Sequence, residues 1–283
     1  MGIYGGLFRE IRMSRGLSIQ DLADDFVSKS TISRFERMEA DITFEKLVHL
    51  LDKLKVSMQE FVYLSTKKQR NRSSLELLSK ALIENNTTLL HQLVEKEWQK
   101  YRETSDMYTR LVAIVLEYHD KNLQGEDMKN GEDPAFLIDY LFKCEMWTQF
   151  DMVIFANAMA FIPFETSITI SKDLAKKTER FHSNRQSFET IINTLENMAM
   201  VCLTGNRLHD AKMFITIIEE LDMDETYFLE RVILKFIKGL YGIKIGERNQ
   251  GEKEAKEALA VMNLAGSFQF ERIFGDYLKQ ILK

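Results

Sequence analysis

The chain of 283 residues holds two prolines, 13 glycines and two cysteines. Average usage of proline and glycine is about 5% and about 7%, so both turn-makers are scarce. Between Leu17 and Gln124 neither occurs. Folds built from many short strands need turn residues every few positions. Their absence excludes a β-sandwich or barrel, and it disfavours a strand-rich α/β enzyme with glycine phosphate loops. The longest nearly apolar run, residues 152–162, is too short to cross a bilayer and carries Asn157. At the amino end Arg9, Arg12 and Arg15 fall inside an amphipathic segment where a signal peptide would be apolar. Cys144 and Cys202 lie far apart in apolar stretches and read as free thiols of a reducing compartment. The expectation is a cytoplasmic, all-α chain with no membrane partner.

What is present is a lopsided charge. The chain carries −5 overall, yet residues 1–72 hold 13 Lys and Arg against 10 Asp and Glu, leaving −8 to the remainder. A basic head on an acidic body assigns any polyanion to the head. Periodicity divides that head into five short helices. Residues 4–15 bury Leu7, Phe8 and Ile11, and Gly16 ends the helix. Ser18 caps the next, answered by Asp21, and that helix is expected to turn Leu22, Ala23 and Phe26 inward. Ser28 caps a helix over 29–38 that buries Ile32 and Phe35. Thr43 and Ser57 cap the fourth and fifth, which carry Leu47, Leu50, Leu51 and Leu54, then Phe61, Val62 and Leu64. A polar segment with Lys67, Lys68, Arg70 and Arg72 follows as a linker.

Beyond it, helices pair at a period of roughly 35–40 residues, the scale of a helical-pair solenoid. The pairs read as 75–86 with 88–103, 107–120 with 134–144, 147–161 with 164–180, 184–204 with 207–221 and 224–245 with 250–264. A last helix covers 268–282. The segment Gly205-Asn-Arg-Leu208-His-Asp-Ala211 resembles the turn of tetratricopeptide (TPR) units.

Catalytic signatures are missing. The five histidines and two cysteines show no metal-ligand spacing, and no nucleophile elbow occurs. Gly246-Glu-Arg-Asn-Gln-Gly251-Glu-Lys253 lacks the ending of a phosphate loop. Paired carboxylates such as Asp24 and Asp25, or Glu95 and Glu97, read as solvated faces. The reading is therefore no enzyme, no cofactor and no metal.

Residues 18–38 carry the strongest signal. Two capped helices joined tightly, the second rich in Lys, Ser, Thr and Arg, make a helix-turn-helix. A second helix entering the major groove offers free N–H groups and a positive dipole end to phosphate. The candidate DNA-binding residues are Ser28, Lys29, Ser30, Thr31, Ser33, Arg34 and Arg37, with Gln20 and Arg15 as phosphate contacts. Arg34 has the reach to address guanine O6 and N7. Leu17-Ser-Ile-Gln-Asp-Leu-Ala23 followed by Ser28-Lys-Ser-Thr-Ile-Ser-Arg-Phe-Glu36 resembles the phage-repressor-like (XRE-type) family over residues 4–64. That likeness implies a structural ion pair between Arg12 and Glu36. The usual turn glycine is missing here, and the turn is one residue shorter, through Phe26-Val27-Ser28.

The shortened turn, Leu50-Leu-Asp-Lys-Leu54 and Glu60-Phe-Val62 resemble the Rgg/GadR/MutR regulators of streptococci and relatives. Asp139-Tyr-Leu-Phe142, Trp147, Asn157, Phe161 and Asn197 extend the likeness into the body. It implies a homodimeric transcription regulator acting on double-stranded DNA at a two-fold operator. Its repeat domain would bind a short hydrophobic peptide pheromone on the concave face, in the manner of quorum sensing, and would dimerise through the C-terminal helices. RNA polymerase is a further partner in view. The residues permit this independently. Asn193 and Asn197 share one helix face, and Asn157 sits midway along another first-of-pair helix. Asparagine both donates and accepts, so such a ladder suits the backbone of an extended peptide. Met152, Met159, Met198 and Met200 suit an adaptable pocket. Where the pattern often has a basic residue beside the third-pair asparagine, this chain has Ala158 and Ala160, leaving Lys235 or Arg231 as the anchor.

The expected architecture is a five-helix XRE-type domain over 1–65, a linker over 66–74, and a right-handed TPR-like solenoid over 75–283. The rival reading keeps the head and gives the body a protein partner or a non-peptide small ligand.

Overall fold

The computed structural model describes residues 3–66, 73–126, 132–159, 161–176 and 184–283. The linker cations Lys67, Lys68, Arg70 and Arg72 lie outside them, as do Ala160 and the expected helical residues 177–180. Among the described residues every regular element is a helix, and no helix is long and apolar enough to cross a membrane. The chain divides into two compact units between Ser73 and Ser74.

The first unit holds α1 (Ile3–Ser14), α2 (Ile19–Leu22), α3 (Lys29–Glu36), α4 (Phe44–Lys53) and α5 (Met58–Thr66). Gly16 takes a left-handed φ of 68° after α1. Ser18 and Asp21 then close a reciprocal capping box. Phe8, Leu22, Val27, Ile32, Phe35, Leu50, Leu51, Leu54 and Phe61 form one core. Two apolar residues depart from the expected inward facing. Val62 is exposed on α5. Phe26 is 52% exposed, and the adjacent Val27 fills the core in its place. The cause is that α2 stops at Leu22. Ala23 is extended, and the Asp24 carboxylate then accepts from the Phe26 and Val27 amides at 3.0 and 2.8 Å. That turn swaps which neighbour faces inward.

The second unit runs α6 (Ser74–Ile83), α7 (Thr87–Thr104), α8 (Met107–Leu123), α9 (Glu132–Lys143), α10 (Gln149–Ala158), α11 (Phe164–Lys176), α12 (Arg185–Thr204), α13 (Leu208–Glu220), α14 (Phe228–Lys244), α15 (Arg248–Leu264) and α16 (Phe268–Leu282). The repeat shows in the backbone. Four pair turns close with the same six-residue bond, Asn86 N–H to Ala81 O, Glu126 to Lys121, Arg207 to Cys202 and Glu247 to Gly242. The donors stand 40, 81 and 40 residues apart. First-of-pair helices pack in succession, α8 on α10, α10 on α12, α12 on α14 and α14 on α16. They make one wall over a continuous core. Gly251, in the run that lacks a phosphate-loop ending, serves packing. A Cβ on Gly251 would stand 2.4 Å from Gly239 O, so α14 and α15 approach closely there.

Candidate functional site: a recognition helix and a polar stripe

In the first unit the Ser28 hydroxyl caps α3, accepting from the Thr31 amide at 3.3 Å. It also bonds the hydroxyls of Ser30 and Thr31 at 2.9 and 3.0 Å. Ile32, Phe35 and Glu36 are buried on the inner side of α3. Helical spacing therefore sends Ser30, Ser33, Arg34 and Arg37 away from the core, and Lys29 reaches solvent from the first turn of the helix. Lys29, Ser30, Arg34 and Arg37 are exposed, Ser33 is half-buried, and so is Thr31 on the flank. Among the described residues Lys29 and Arg34 make no ion pair, whereas Arg37 meets Glu39 at 3.0 Å. Gln20 and Arg15 are exposed on α2 and just past α1.

Behind that face, Arg12 and Glu36 are buried and bonded twice, Nε to Oε1 at 2.6 Å and Nη2 to Oε2 at 2.7 Å. Arg12 Nη1 also donates to Leu17 O at 2.5 Å. The pair joins α1, the entry to α2 and the end of α3. Asp24 does the same for the turn. Besides the two amides, it meets Lys53 at 2.5 Å and His49 at 2.6 Å on α4, and Lys53 donates onward to Leu22 O at 2.8 Å. The Lys53 and His49 bonds hold the Asp24 carboxyl well below its ordinary range. The reading of Asp24 as a solvated carboxylate is thus corrected. An aspartate two residues ahead of a missing turn glycine is the signal that marks it. Glu97 is corrected likewise, being buried and accepting from Ser74 Oγ at 2.5 Å.

In the second unit α12 is buried on nearly every side. One stripe stays open: Gln186, Thr190, Asn193, Asn197, Val201 and Thr204, with Thr190 half-buried. Gln149 of α10 donates to Thr190 Oγ1 at 2.8 Å and continues the polar surface. Asn193 and Asn197 are exposed together, while Asn157 is half-buried and turns its amide onto Val153 O at 2.8 Å. Its backbone carbonyl faces His119 Nε2 at 3.0 Å. Met200 is 6% exposed and belongs to the core, because it falls off the open stripe. Lys235 stands elsewhere, in a cleft of about 550 Å³ between α13, α14 and α15, paired with Glu257 at 2.6 Å. Arg231 lines the same cleft.

Among the described residues Cys144 and Cys202 form no disulfide, and burial pushes the Cys202 thiol up to about 12. No cluster of three metal-type side chains occurs there.

Comparison with known proteins matches both units. Residues 8–61 fit the helix-turn-helix family model. Residues 91–275 fit the model described as HTH-type transcriptional regulator Rgg, C-terminal domain. Among solved structures, the SHP pheromone receptor Rgg2 of Streptococcus dysgalactiae is similar at 25% identity and a TM-score of 0.83, covering 98% of this chain and 99% of its own. A protein of Listeria monocytogenes EGD-e shares the fold at 21% identity and a TM-score of 0.85, over 99% and 97% of the two chains. PrgX in its iCF10 complex shares it at 17% identity and a TM-score of 0.77, over 99% and 96%.

Proposed function

This chain belongs to the Rgg family of helix-turn-helix transcriptional regulators, and from that premise we propose that it is a cytoplasmic homodimer whose DNA binding answers to a short hydrophobic peptide. The observation that carries the reading is the open polar stripe of α12 in a body of Rgg type, carried on the same chain as the cationic α3. In this reading α3 enters the major groove. Lys29 and the hydroxyls of Ser28, Ser30 and Thr31 take phosphate at its positive end, and Arg34 reads guanine. Ser33, Arg37, Gln20 and Arg15 complete the contact surface. Arg12 and Glu36 stay buried and hold α3 in place. Asn193 and Asn197 clamp the backbone of an extended peptide, and Asn157 serves once its amide is released from Val153.

The dimer is built on α16. Phe270, Ile273 and Tyr277 share one exposed side of α16, and Leu264, at the end of α15, and Phe268, at the start of α16, are exposed at the turn before it, 88% and 64%. Exposed apolar surface of this kind marks an interface. Two heads related by a two-fold axis then read half-sites about one helical turn, or a multiple, apart.

A titration of promoter fragments against the full chain tests the first half. Lys29→Ala flattens the salt dependence by about one phosphate. Arg34→Ala costs roughly 1–3 kcal/mol and relaxes specificity at one base pair. No preference of the wild type for promoter over random DNA, with or without peptide, overturns it. Short apolar peptides that raise the melting temperature of wild type but not of Asn197→Ala support the second half.

A further inference from the structure

Two acids sit where the wall can least accommodate them. Glu196, on α12, is 3% exposed, and its Oε1 has no hydrogen-bond partner. Glu230, in the first turn of α14, is buried as well. The charged group that acts on Glu196 is Glu230, of the same sign, and burial together with that repulsion holds the Glu196 carboxyl well above its ordinary range. A buried polar group left without a partner costs about 1–3 kcal/mol. Nothing in the packing of an apolar wall calls for that expense.

Position gives the pair a purpose. Asn193 and Asn197 lie three before and one after Glu196, and both are exposed, so Glu196 flanks the open stripe. The α12 and α14 pairs share the same turn bond at Arg207 and Glu247, forty residues apart. That offset carries Thr190, a stripe residue, onto Glu230. Both acids therefore belong to the stripe side of the seam where α12 packs on α14. Two carboxyl groups with flanking amides present acceptors to a donor-rich cation. The set is too small for a metal, since no three metal-type side chains cluster among the described residues.

We propose that Glu196 and Glu230 hold a cationic group of the effector peptide, either its free amino terminus or a lysine or arginine side chain. The proposal rests on the peptide reading above and adds a charge requirement to it. A hydrophobic peptide is selected by apolar surroundings in any register, whereas one ammonium on two buried carboxylates fixes both register and direction. The cation supplies the donor that Oε1 lacks and cancels the repulsion between the acids.

The test uses the full chain and three pools of short apolar peptides: free-amino, amino-acetylated, and amino-acetylated with one lysine. Affinities are read by fluorescence anisotropy on wild type, Glu196→Gln and Glu230→Gln. The expected result is that the free-amino or the lysine pool binds wild type about tenfold or more tighter than the acetylated lysine-free pool. Either substitution removes that preference, and the pool that wins identifies the source of the cation. Equal binding of all three pools to wild type overturns the carboxylate site and leaves the peptide reading standing. Melting curves with phenethylamine and its neutral analogue phenethyl alcohol separate the two ideas from the other side. If no pool binds, but the amine alone stabilises wild type and not Glu196→Gln, the site holds and the peptide reading falls. If neither pools nor amine bind, both fall.

Discussion

Replacing Arg12 by Met leaves the Glu36 carboxylate buried against apolar neighbours with both of its guanidinium bonds gone. Those bonds are 2.6 and 2.7 Å long, and the side chains are 10% and 3% exposed, so water cannot take over. Breaking one side of a buried pair costs about 3–5 kcal/mol. The Leu17 carbonyl loses its Arg12 donor too, which adds about 1 kcal/mol. Against a typical domain stability of about 5–15 kcal/mol, the first unit then opens far more often. Amide exchange of the full chain reads this directly at Ile32 and Phe35, whose amides are inside α3. At about 1.4 kcal/mol per factor of ten, exchange there accelerates by two to three orders of magnitude or more. The double variant Arg12→Met, Glu36→Leu recovers most of the loss, because it removes the stranded charge along with its partner. Nearly additive costs of Arg12→Met and Glu36→Leu would refute the reasoning, since a bonded pair must show coupling in the cycle. So would acceleration of less than tenfold in the single variant.

Three further outcomes follow from geometry. Gly251→Val places a Cβ at 2.4 Å from Gly239 O and 2.6 Å from the Ile243 nitrogen. Overpacking of that kind costs about 1–3 kcal/mol, so urea denaturation of the second unit shifts down while the fold of the first is untouched. His91 bonds Asp120 at 3.1 Å, and that bond raises the His91 pKa. A raised folded value means its contribution is complete below the unfolded pKa of about 6.5 and fades as pH rises through the folded one. Melting temperature therefore falls more between about pH 6 and about pH 8 in wild type than in His91→Gln. Asp24→Ala frees the turn ahead of α3 and detaches Lys53 and His49. Operator affinity is expected to drop while the salt slope is kept, because Asp24 positions the residues proposed to bind phosphate and is not among them.

Much of this was legible beforehand, for identifiable reasons. Caps declare themselves by residue type, so Ser18 with Asp21, Ser28 and Thr43 mark helix starts that the structure keeps within a residue. The body's pairs were legible because each must bury an apolar side against the next, and that need writes a period into the sequence. Facing failed where a single side chain overrode periodicity. Phe26 follows the helical pattern of α2, but Asp24 ends α2 early and exposes it. Met200 shares a helix with Asn197 yet falls off its open side, which spacing alone decides only when all neighbours of α12 are known. Glu196 was invisible for the same reason. An acid among apolar residues looks like a solvated position until α14 closes over it.

The forty-residue offset turns the repeat into an argument about where a ligand belongs. Carried from α12 to α14, the positions of Asn193, Asn197 and Val201 become Ile233, Ile237 and Tyr241. Ile233 and Ile237 are buried, and α16 packs against α14. The last full pair thus closes its wall with isoleucine and the terminal helix, while α12 keeps amides at the same places and leaves them in water. Amides exposed at positions that a sister repeat fills with isoleucine bury no apolar surface, and recognition of a backbone or a polar group is the role proposed for them above. On that ground Asn193→Ile, Asn197→Ile is expected to raise the stability of the second unit while abolishing the response to peptide. A double variant that loses stability and keeps the response would show the open stripe to be structural.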